Sequence, residues 1–146
     1  MRHLAILALD VEGVLVSNGV SQFPRSGLAT FLDSCRALAD DMVLFTSCNP
    51  VVVAGLQQTL VQEGAAPAWF ADLAILYSPD GVKDLTRLGQ PLDRVALMDD
   101  QPTTPVEQRH RWIRVSKWES PYVADNALEK ASEALRDILI AAAADR

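Results

Sequence analysis

The chain has 146 residues, a hydrophobic share of 49% and a net charge of −6. A chain of this length buries about two-thirds of its unfolded surface, so we expect a single domain over residues 1–146. The negative charge argues against general binding to nucleic acid or anionic membranes. No apolar run is long enough to span a bilayer, and the only cysteines, Cys35 and Cys48, are expected to be free thiols in a reducing, cytoplasmic setting.

The first predicted element is a buried strand, Leu4–Leu9, which is followed by two acids and a glycine. A short apolar run bounded by turn residues is typical of a strand in a parallel sheet. The carboxyl ends of such strands carry the chemistry of open α/β sheets. Asp10 and Glu12 are therefore expected in one tight turn, where they could share a cation or divide nucleophile and acid/base roles. The alternative for this segment alone is a strand end with solvated acids.

Helices and strands alternate along the rest of the chain. Helices are predicted at 28–38 from apolar spacing, from the cap Asn49 through about Val61, and at 128–142. Further strands are predicted at 42–45, 74–77, 94–98 and 112–115. This alternation predicts an α/β fold, a three-layer Rossmann-like parallel sheet with helices on both faces.

The ends of the predicted strands carry the groups that phosphoryl transfer requires. Thr46 and Ser47 follow the second strand, and Asp99 and Asp100 follow the strand at 94–98. Lys83, at the predicted start of a helix, supplies a fixed positive charge. Taken singly, the lysine could be solvated and the Asp pair could cap a helix. Their order, each at the carboxyl end of its strand, favours one site.

With these four motifs the chain resembles the haloacid-dehalogenase-like (HAD) hydrolase superfamily. The motifs are Asp10-Val-Glu12-Gly13-Val, Thr46 (or Ser47), Lys83 and Asp99-Asp100. Within the superfamily the chain is most similar to the FCP/SCP-like (NLI-interacting-factor-like) phosphatases, which act on the RNA polymerase C-terminal domain. That similarity rests on 27–32, 43–47 and above all 82–102. The resemblance implies a Mg²⁺-dependent phosphatase that works through an aspartyl-phosphate.

The resemblance also implies a role for each motif residue. The expected catalytic residues are the nucleophile Asp10, the general acid/base Glu12, and Thr46 and Lys83. The expected substrate-binding residues are Thr46, Ser47 and Lys83. The expected Mg²⁺ ligands are Asp10, Asp99, the backbone carbonyl of Glu12 and, directly or through water, Asp100. This oxygen-rich set matches the preference of Mg²⁺.

Glu12 departs from the superfamily pattern, which has an aspartate, one methylene shorter, at this position. General acid/base catalysis contributes roughly 10²–10⁴-fold, and a misplacement of about 1 Å can cost on the order of 10²-fold. We therefore expect a weakened or redirected enzyme more readily than an inactive one. The first alternative is a catalytically weak or silent HAD-like module that binds phosphoproteins.

The spacing of the motifs leaves no room for the cap domain that superfamily members often carry. Sixteen residues separate Asp10 from Gly27, which suffices for a flap hairpin over 14–23. One helix and one strand use the residues between Thr46 and Lys83. An uncapped site is open to water, which favours a phosphorylated macromolecule such as a phosphoprotein as the substrate. A lid supplied by an oligomer is the other solution.

A basic cluster supports the second alternative, a polynucleotide-end phosphatase. Arg109, Arg111, Arg114 and Lys117 lie within nine residues, together with His110. Such a cluster is more often a solvated strand edge than a binding patch. We therefore expect nucleic acid to be a less favoured partner than a phosphorylated protein.

Overall fold

The structure, a computed structural model, describes residues 3–144. Five parallel strands form one sheet in the order β3-β2-β1-β4-β5. The strands are β1 (Leu4–Leu9), β2 (Ala39–Thr46), β3 (Ala74–Tyr77), β4 (Val95–Asp99) and β5 (Trp112–Arg114). The α-helices are α1 (Leu28–Arg36), α2 (Pro50–Gln62) and α3 (Ala127–Ala144). The predicted α/β fold with a parallel sheet is confirmed.

The path of the chain decides which face of the sheet each connection covers. The chain runs outward from β1 to β3 and then returns past β1 to β5. Because crossovers between parallel strands are right-handed, connections that run in opposite directions lie on opposite faces. The helices α1 and α2, in the first two connections, therefore share one face. The last helix, α3, follows β5 and packs on the same face, where the apolar residues of all three helices form one core with Leu7 and Leu44.

The opposite face is covered by 3₁₀ helices instead of α-helices. Short 3₁₀ helices occupy Leu85–Leu88 and Leu92–Arg94 in the connection from β3 to β4. The core on this face is smaller and consists of Ala8, Val43, Phe45, Leu85, Val95 and Leu97. Helices thus lie on both faces as predicted, but the two layers are unequal.

The reversal of chain direction falls between β1 and β4. The connection that follows β1 and the connection that follows β4 cover opposite faces of the sheet. A crevice therefore opens between them at the carboxyl ends of the strands. Asp10 follows β1, and its N–H donates to the Met98 carbonyl at 2.9 Å. Asp99 is the last residue of β4. The topology therefore brings the two motif acids to the same point.

The helix expected to start at Lys83 begins later and is shorter. Lys83 lies outside any helix or strand, and a single 3₁₀ turn, Leu85–Leu88, follows it. Asp84 caps this turn by accepting the Thr86 N–H at 3.0 Å. Gly89 ends it with a left-handed φ of +69°. The prediction of a helix start at Lys83 was wrong because capping and termination residues lie too close together for a longer helix.

The flap hairpin predicted after β1 is reduced to one antiparallel bridge, between Val16 and Pro24. The carboxamide oxygen of Asn18 accepts the N–H groups of Val20 and Ser21, each at 2.8 Å. This local turn satisfies donors that a hairpin ladder would otherwise use. The flap is therefore a turn-rich loop.

The described chain bears on two expectations, namely a site without a cap domain and a chain without a membrane-spanning helix. Between Thr46 and Lys83 the chain forms α2, a 3₁₀ helix at Ala68–Asp72 and β3, so no cap domain is inserted there. None of the helices in the described chain combines the length and apolarity that a membrane crossing requires.

Candidate active site

A cleft of about 460 Å³ opens at the carboxyl ends of β1, β2 and β4. All seven residues predicted for the site line this cleft: Asp10, Glu12, Thr46, Ser47, Lys83, Asp99 and Asp100. The structure therefore brings the four motifs together. The individual roles of these residues stay predictions.

Lys83 joins two carboxylates in the floor of the cleft. Its Nζ lies 2.9 Å from Asp10 Oδ1 and 2.7 Å from Asp99 Oδ2. Only 2% of Lys83 is exposed. Burial by itself would lower the pKa of Lys83. The two carboxylates outweigh burial and hold this pKa above its ordinary value. The ammonium therefore stays charged at neutral pH.

Asp10 and Asp99 share Lys83 but differ in acidity. Burial raises the pKa of Asp10 well above its ordinary value, because Lys83 offsets only part of the burial and Asp99 adds like charge. Burial by itself would raise the pKa of Asp99 as well. Lys83 and two further hydrogen-bond donors outweigh burial, so this pKa lies below its ordinary value. Those donors are the Thr103 hydroxyl at 2.6 Å and the Gln101 N–H at 3.1 Å. Asp99 is therefore the more firmly ionised carboxylate.

Three carboxylates in the cleft are close enough to share a cation. Asp10, Asp99 and Asp100 each offer an oxygen, and these oxygens lie within 4.8 Å of one another. Three acids face the single buried ammonium of Lys83, so a divalent cation would neutralise the remaining charge. The donor set consists of oxygens alone, which fits Mg²⁺. The side chain of Glu12 lies outside this set, and its backbone carbonyl stays a predicted ligand.

The carboxylate of Glu12 is held by the flap. Its Oε2 accepts the Gly19 N–H at 2.7 Å, and the Cys48 thiol lies on the same side of the flap, beside Gly19. Burial and the nearby Glu12 charge raise the pKa of Cys48, so the thiol stays protonated. A Cβ on Gly19 would lie 3.3 Å from Cys48 Sγ and 3.4 Å from Glu12 Oε2. The absence of a side chain at Gly19 therefore permits this close contact.

Two hydroxyls lie at the carboxyl end of β2. Thr46 is 1% exposed, and its Oγ1 accepts the Cys48 N–H at 2.9 Å. The Thr46 hydroxyl can therefore donate its own proton into the cleft. Ser47 is exposed and also lines the cleft. The site thus presents one fixed hydroxyl and one exposed hydroxyl to a bound phosphate.

The two cysteines are free thiols, as expected. Cys35 packs in the main core, and burial raises its pKa to about 12. A thiol with this pKa is neither charged nor nucleophilic at neutral pH. Cys48 is half-buried beside Glu12 and likewise protonated.

The structure spreads the basic cluster over several surfaces. Arg109 is exposed in a 3₁₀ helix, and Arg114 lies on the edge strand β5. The Arg111 guanidinium donates to the Val95 carbonyl at 2.8 Å. Of these basic residues, only Lys117 lines the cleft in the described part of the chain.

Three residues that support the site were not predicted from the sequence. Thr103 holds Asp99, and its position four residues after that acid was the one available signal. Trp118 lines the cleft and donates its backbone N–H to the Gly13 carbonyl at 2.9 Å. Arg25 is 2% exposed, although it lies in a Pro-Arg-Ser-Gly stretch that is typical of an exposed turn. No sequence pattern marks Trp118 or Arg25.

Comparison with known proteins identifies one family. The family model described as NLI interacting factor-like phosphatase matches residues 5–145. The match includes every residue that lines the cleft and nearly all of the sheet. Curated proteins give no significant match to the chain. The resemblance inferred from the four motifs is confirmed.

Proposed function

The chain belongs to the NLI interacting factor-like phosphatases, an FCP/SCP-like HAD family, and on this premise we propose a Mg²⁺-dependent phosphomonoesterase that works through an aspartyl-phosphate. The family indicates a phosphatase. The metal, the intermediate and the substrate are the proposal. One observation carries it, namely the cluster of Asp10, Asp99 and Asp100 around the buried Lys83.

In the first step a carboxylate oxygen of Asp10 attacks phosphorus. The new P–O bond to Asp10 forms as the P–O bond to the leaving group breaks, and Glu12 gives its proton to the leaving oxygen. Thr46 and Lys83 donate to the non-bridging oxygens, where negative charge accumulates. When bound by Asp10, Asp99 and Asp100, Mg²⁺ supplies further neutralisation of phosphate charge.

In the second step water hydrolyses the aspartyl-phosphate. Glu12, now ionised, takes a proton from water while the water oxygen bonds to phosphorus and the bond to Asp10 breaks. Phosphate leaves and both acids return to their starting states. The Gly19 N–H binds Oε2 of Glu12, so we assign this proton transfer to the other carboxylate oxygen.

The open cleft supports a macromolecular substrate. No cap domain covers the site in the described chain, so the substrate itself, or a partner subunit, has to exclude water during the reaction. A phosphorylated protein segment that lies across the cleft can do so, whereas a small metabolite leaves the site wet. We therefore favour a phosphoprotein as the substrate.

A weakly active or silent phosphoprotein-binding module is the second candidate. Its support is the hydrogen bond from the Gly19 N–H to Glu12, which holds the acid/base at the flap. The polynucleotide-end phosphatase has weaker support, because Lys117 is the one member of the basic cluster that lines the cleft among the described residues.

Hydrolysis of an aryl phosphate with and without Mg²⁺ tests the proposed function. We expect turnover that requires Mg²⁺, that EDTA abolishes, and that Asp10→Asn lacks, because this isosteric change removes both the attacking oxygen and a metal ligand. Asp33→Asn, at an exposed position in α1, is the matched control and should retain full activity. An Asp10→Asn variant with more than a few per cent of parental activity would contradict the covalent mechanism.

The substrate class is tested by comparing a phosphopeptide with a 5′-phosphorylated and a 3′-phosphorylated oligonucleotide. We expect a higher kcat/KM for the phosphopeptide. Preferred hydrolysis of an oligonucleotide would overturn the phosphoprotein assignment. Tight binding of the phosphopeptide without turnover would instead support the binding module.

A further inference from the structure

A fully buried arginine lies behind the turn that follows β1. The side chain of Arg25 is 0% exposed and forms a bidentate pair with Asp125, which precedes α3. Arg25 Nε lies 3.2 Å from Asp125 Oδ1, and Arg25 Nη2 lies 2.9 Å from Asp125 Oδ2. The Asp125 side chain is 30% exposed, whereas burial of the guanidinium carries a desolvation cost that offsets the attraction, so the pair contributes little net stability. The geometry that this pair imposes is therefore the better explanation for its presence.

The remaining guanidinium nitrogen of Arg25 binds the backbone of the turn. Nη1 donates to the carbonyl oxygens of Gly13 at 3.3 Å and Val14 at 3.2 Å. These two residues directly follow Glu12. The Gly13 carbonyl also accepts the Trp118 N–H at 2.9 Å, and the Gly13 N–H donates to Val16 O at 2.8 Å. The peptide groups on both sides of Gly13 are thus fixed.

This turn packs directly against the carboxylate cluster. Gly13 has a left-handed φ of +75°, and a Cβ there would lie 3.3 Å from Asp100 Oδ2. The peptide group between Glu12 and Gly13 carries the carbonyl predicted as a Mg²⁺ ligand. A displacement of the turn would therefore move Glu12 relative to Asp10 and change the packing of Gly13 against Asp100.

We propose that Arg25 and Asp125 are positioning residues for the metal site and the acid/base. The pair holds the turn so that the carbonyl and the carboxylate of Glu12 face the site in one orientation. Neither Arg25 nor Asp125 lines the cleft, so the pair acts through the backbone of Gly13 and Val14. This inference rests on the proposed function.

The test compares Arg25→Lys and Asp125→Asn with a control in another buried polar group. Lysine keeps the charge of Arg25 but cannot bind two carbonyls and a carboxylate in one plane. The control is Gln57→Leu. Gln57 is also 2% exposed, and its Nε2 donates to the carbonyls of Phe70 at 2.9 Å and Leu73 at 3.0 Å, outside the cleft.

Three measurements are made on each full-length variant. Calorimetry gives the Mg²⁺ dissociation constant without substrate, kinetics with an aryl phosphate gives kcat and KM, and hydrogen exchange reports the amides of residues 11–16. We expect Arg25→Lys and Asp125→Asn to weaken Mg²⁺ binding by about 10–100-fold, the usual effect of losing an outer partner of a metal site. We also expect them to lower kcat more than they raise KM and to speed exchange in the turn.

Gln57→Leu should lower the thermal midpoint while Mg²⁺ affinity stays at the parental value. Unchanged Mg²⁺ affinity in both pair variants, or an equal loss in Gln57→Leu, overturns the inference. Should Arg25→Lys fail to fold, Asp125→Asn decides alone. If the parent binds Mg²⁺ but hydrolyses no phosphate ester, the proposed function fails while calorimetry and exchange still decide the role of the pair. A parent that binds no Mg²⁺ overturns both.

Discussion

The extra methylene of Glu12 carries its carboxylate to the flap, where the Gly19 N–H binds it and the Cys48 thiol lies nearby. An aspartate at this position would be shorter and would lie nearer the backbone of the turn. The hydrogen bond lowers the freedom of the Glu12 side chain. The residue that departs from the expected motif is thus also the one that is tied to the flap.

The role of Glu12 is tested by leaving groups of different basicity. Glu12→Gln should slow an alkyl phosphate far more than an aryl phosphate, because an aryl leaving group departs without protonation. Glu12→Asp should leave activity equal or higher. The measurement is the ratio of kcat/KM for the two substrates in the parent and both variants. Equal loss on both substrates after Glu12→Gln would assign Glu12 a structural role.

The hydrogen bond from the Thr103 hydroxyl to Asp99 leads to a second prediction about a single residue. Thr103→Val removes the 2.6 Å hydrogen bond to Asp99 with little change in volume. We expect the Mg²⁺ concentration for half-maximal activity to rise by about 10–100-fold, because Thr103 orients a predicted metal ligand. Thr86→Val is the control, since its hydroxyl makes a similar 2.7 Å bond to Asp84 on the surface. Equal Mg²⁺ dependence in the two variants would contradict this role.

The short 3₁₀ elements matter more than their length indicates. The turn Leu85–Leu88 supplies Leu85, which is 0% exposed, to the smaller core beneath the sheet. Lys83 lies two residues earlier, and its backbone N–H donates to the Thr103 carbonyl at 3.0 Å. One short segment therefore covers a face of the sheet and also places the cation of the site.

This arrangement predicts that two leucine-to-alanine changes at equally buried positions have different effects on activity. Leu85→Ala and Leu135→Ala, in α3, should each reduce the free energy of unfolding by about 2–5 kcal/mol, because both side chains are fully buried. Leu85→Ala should in addition lower kcat/KM, since the segment that holds Lys83 loses its anchor. Urea unfolding and aryl phosphate kinetics on both variants check this. Similar kinetic losses in both would show that Leu85 acts only through global stability.

Over the whole molecule the net charge is −6, and the cleft concentrates several of its acids. Asp10, Asp99 and Asp100 repel one another in the described structure, and Lys83 balances only part of their charge. A ligand that binds the folded state alone stabilises it by mass action. The fold should therefore be more stable with Mg²⁺ than without it.

We expect Mg²⁺ at about 100 times its dissociation constant to add about 2.7 kcal/mol to the free energy of unfolding. The double change Asp99→Asn with Asp100→Asn should remove both this gain and the activity. The double change Asp40→Asn with Asp41→Asn is the matched control, an adjacent acid pair at the other end of β2. Thermal unfolding with and without EDTA measures the shift. No shift in the parent at millimolar Mg²⁺ would count against the metal site.

Much of the fold and the candidate site follows from local sequence. Apolar runs such as Leu4–Leu9 are buried on both faces of a parallel sheet, so strand positions could be predicted from short windows. Acids after two such runs meet because parallel strands end at the same edge. Asp10, Thr46 and Asp99 could therefore be placed in one cleft before any contact was known.

The tertiary structure alone decided how that cleft is supported. Arg25 and Asp125 lie 100 residues apart, and the packing of α3 against α1 and β5 is what brings them together. The predicted flap hairpin is reduced to one bridge closed by the turn at Asn18, and a 3₁₀ turn after Lys83 replaced a predicted helix. In both places side-chain caps competed with regular backbone pairing. Periodicity encodes which face a residue occupies, whereas the pairing of buried polar groups depends on contacts between segments distant in sequence.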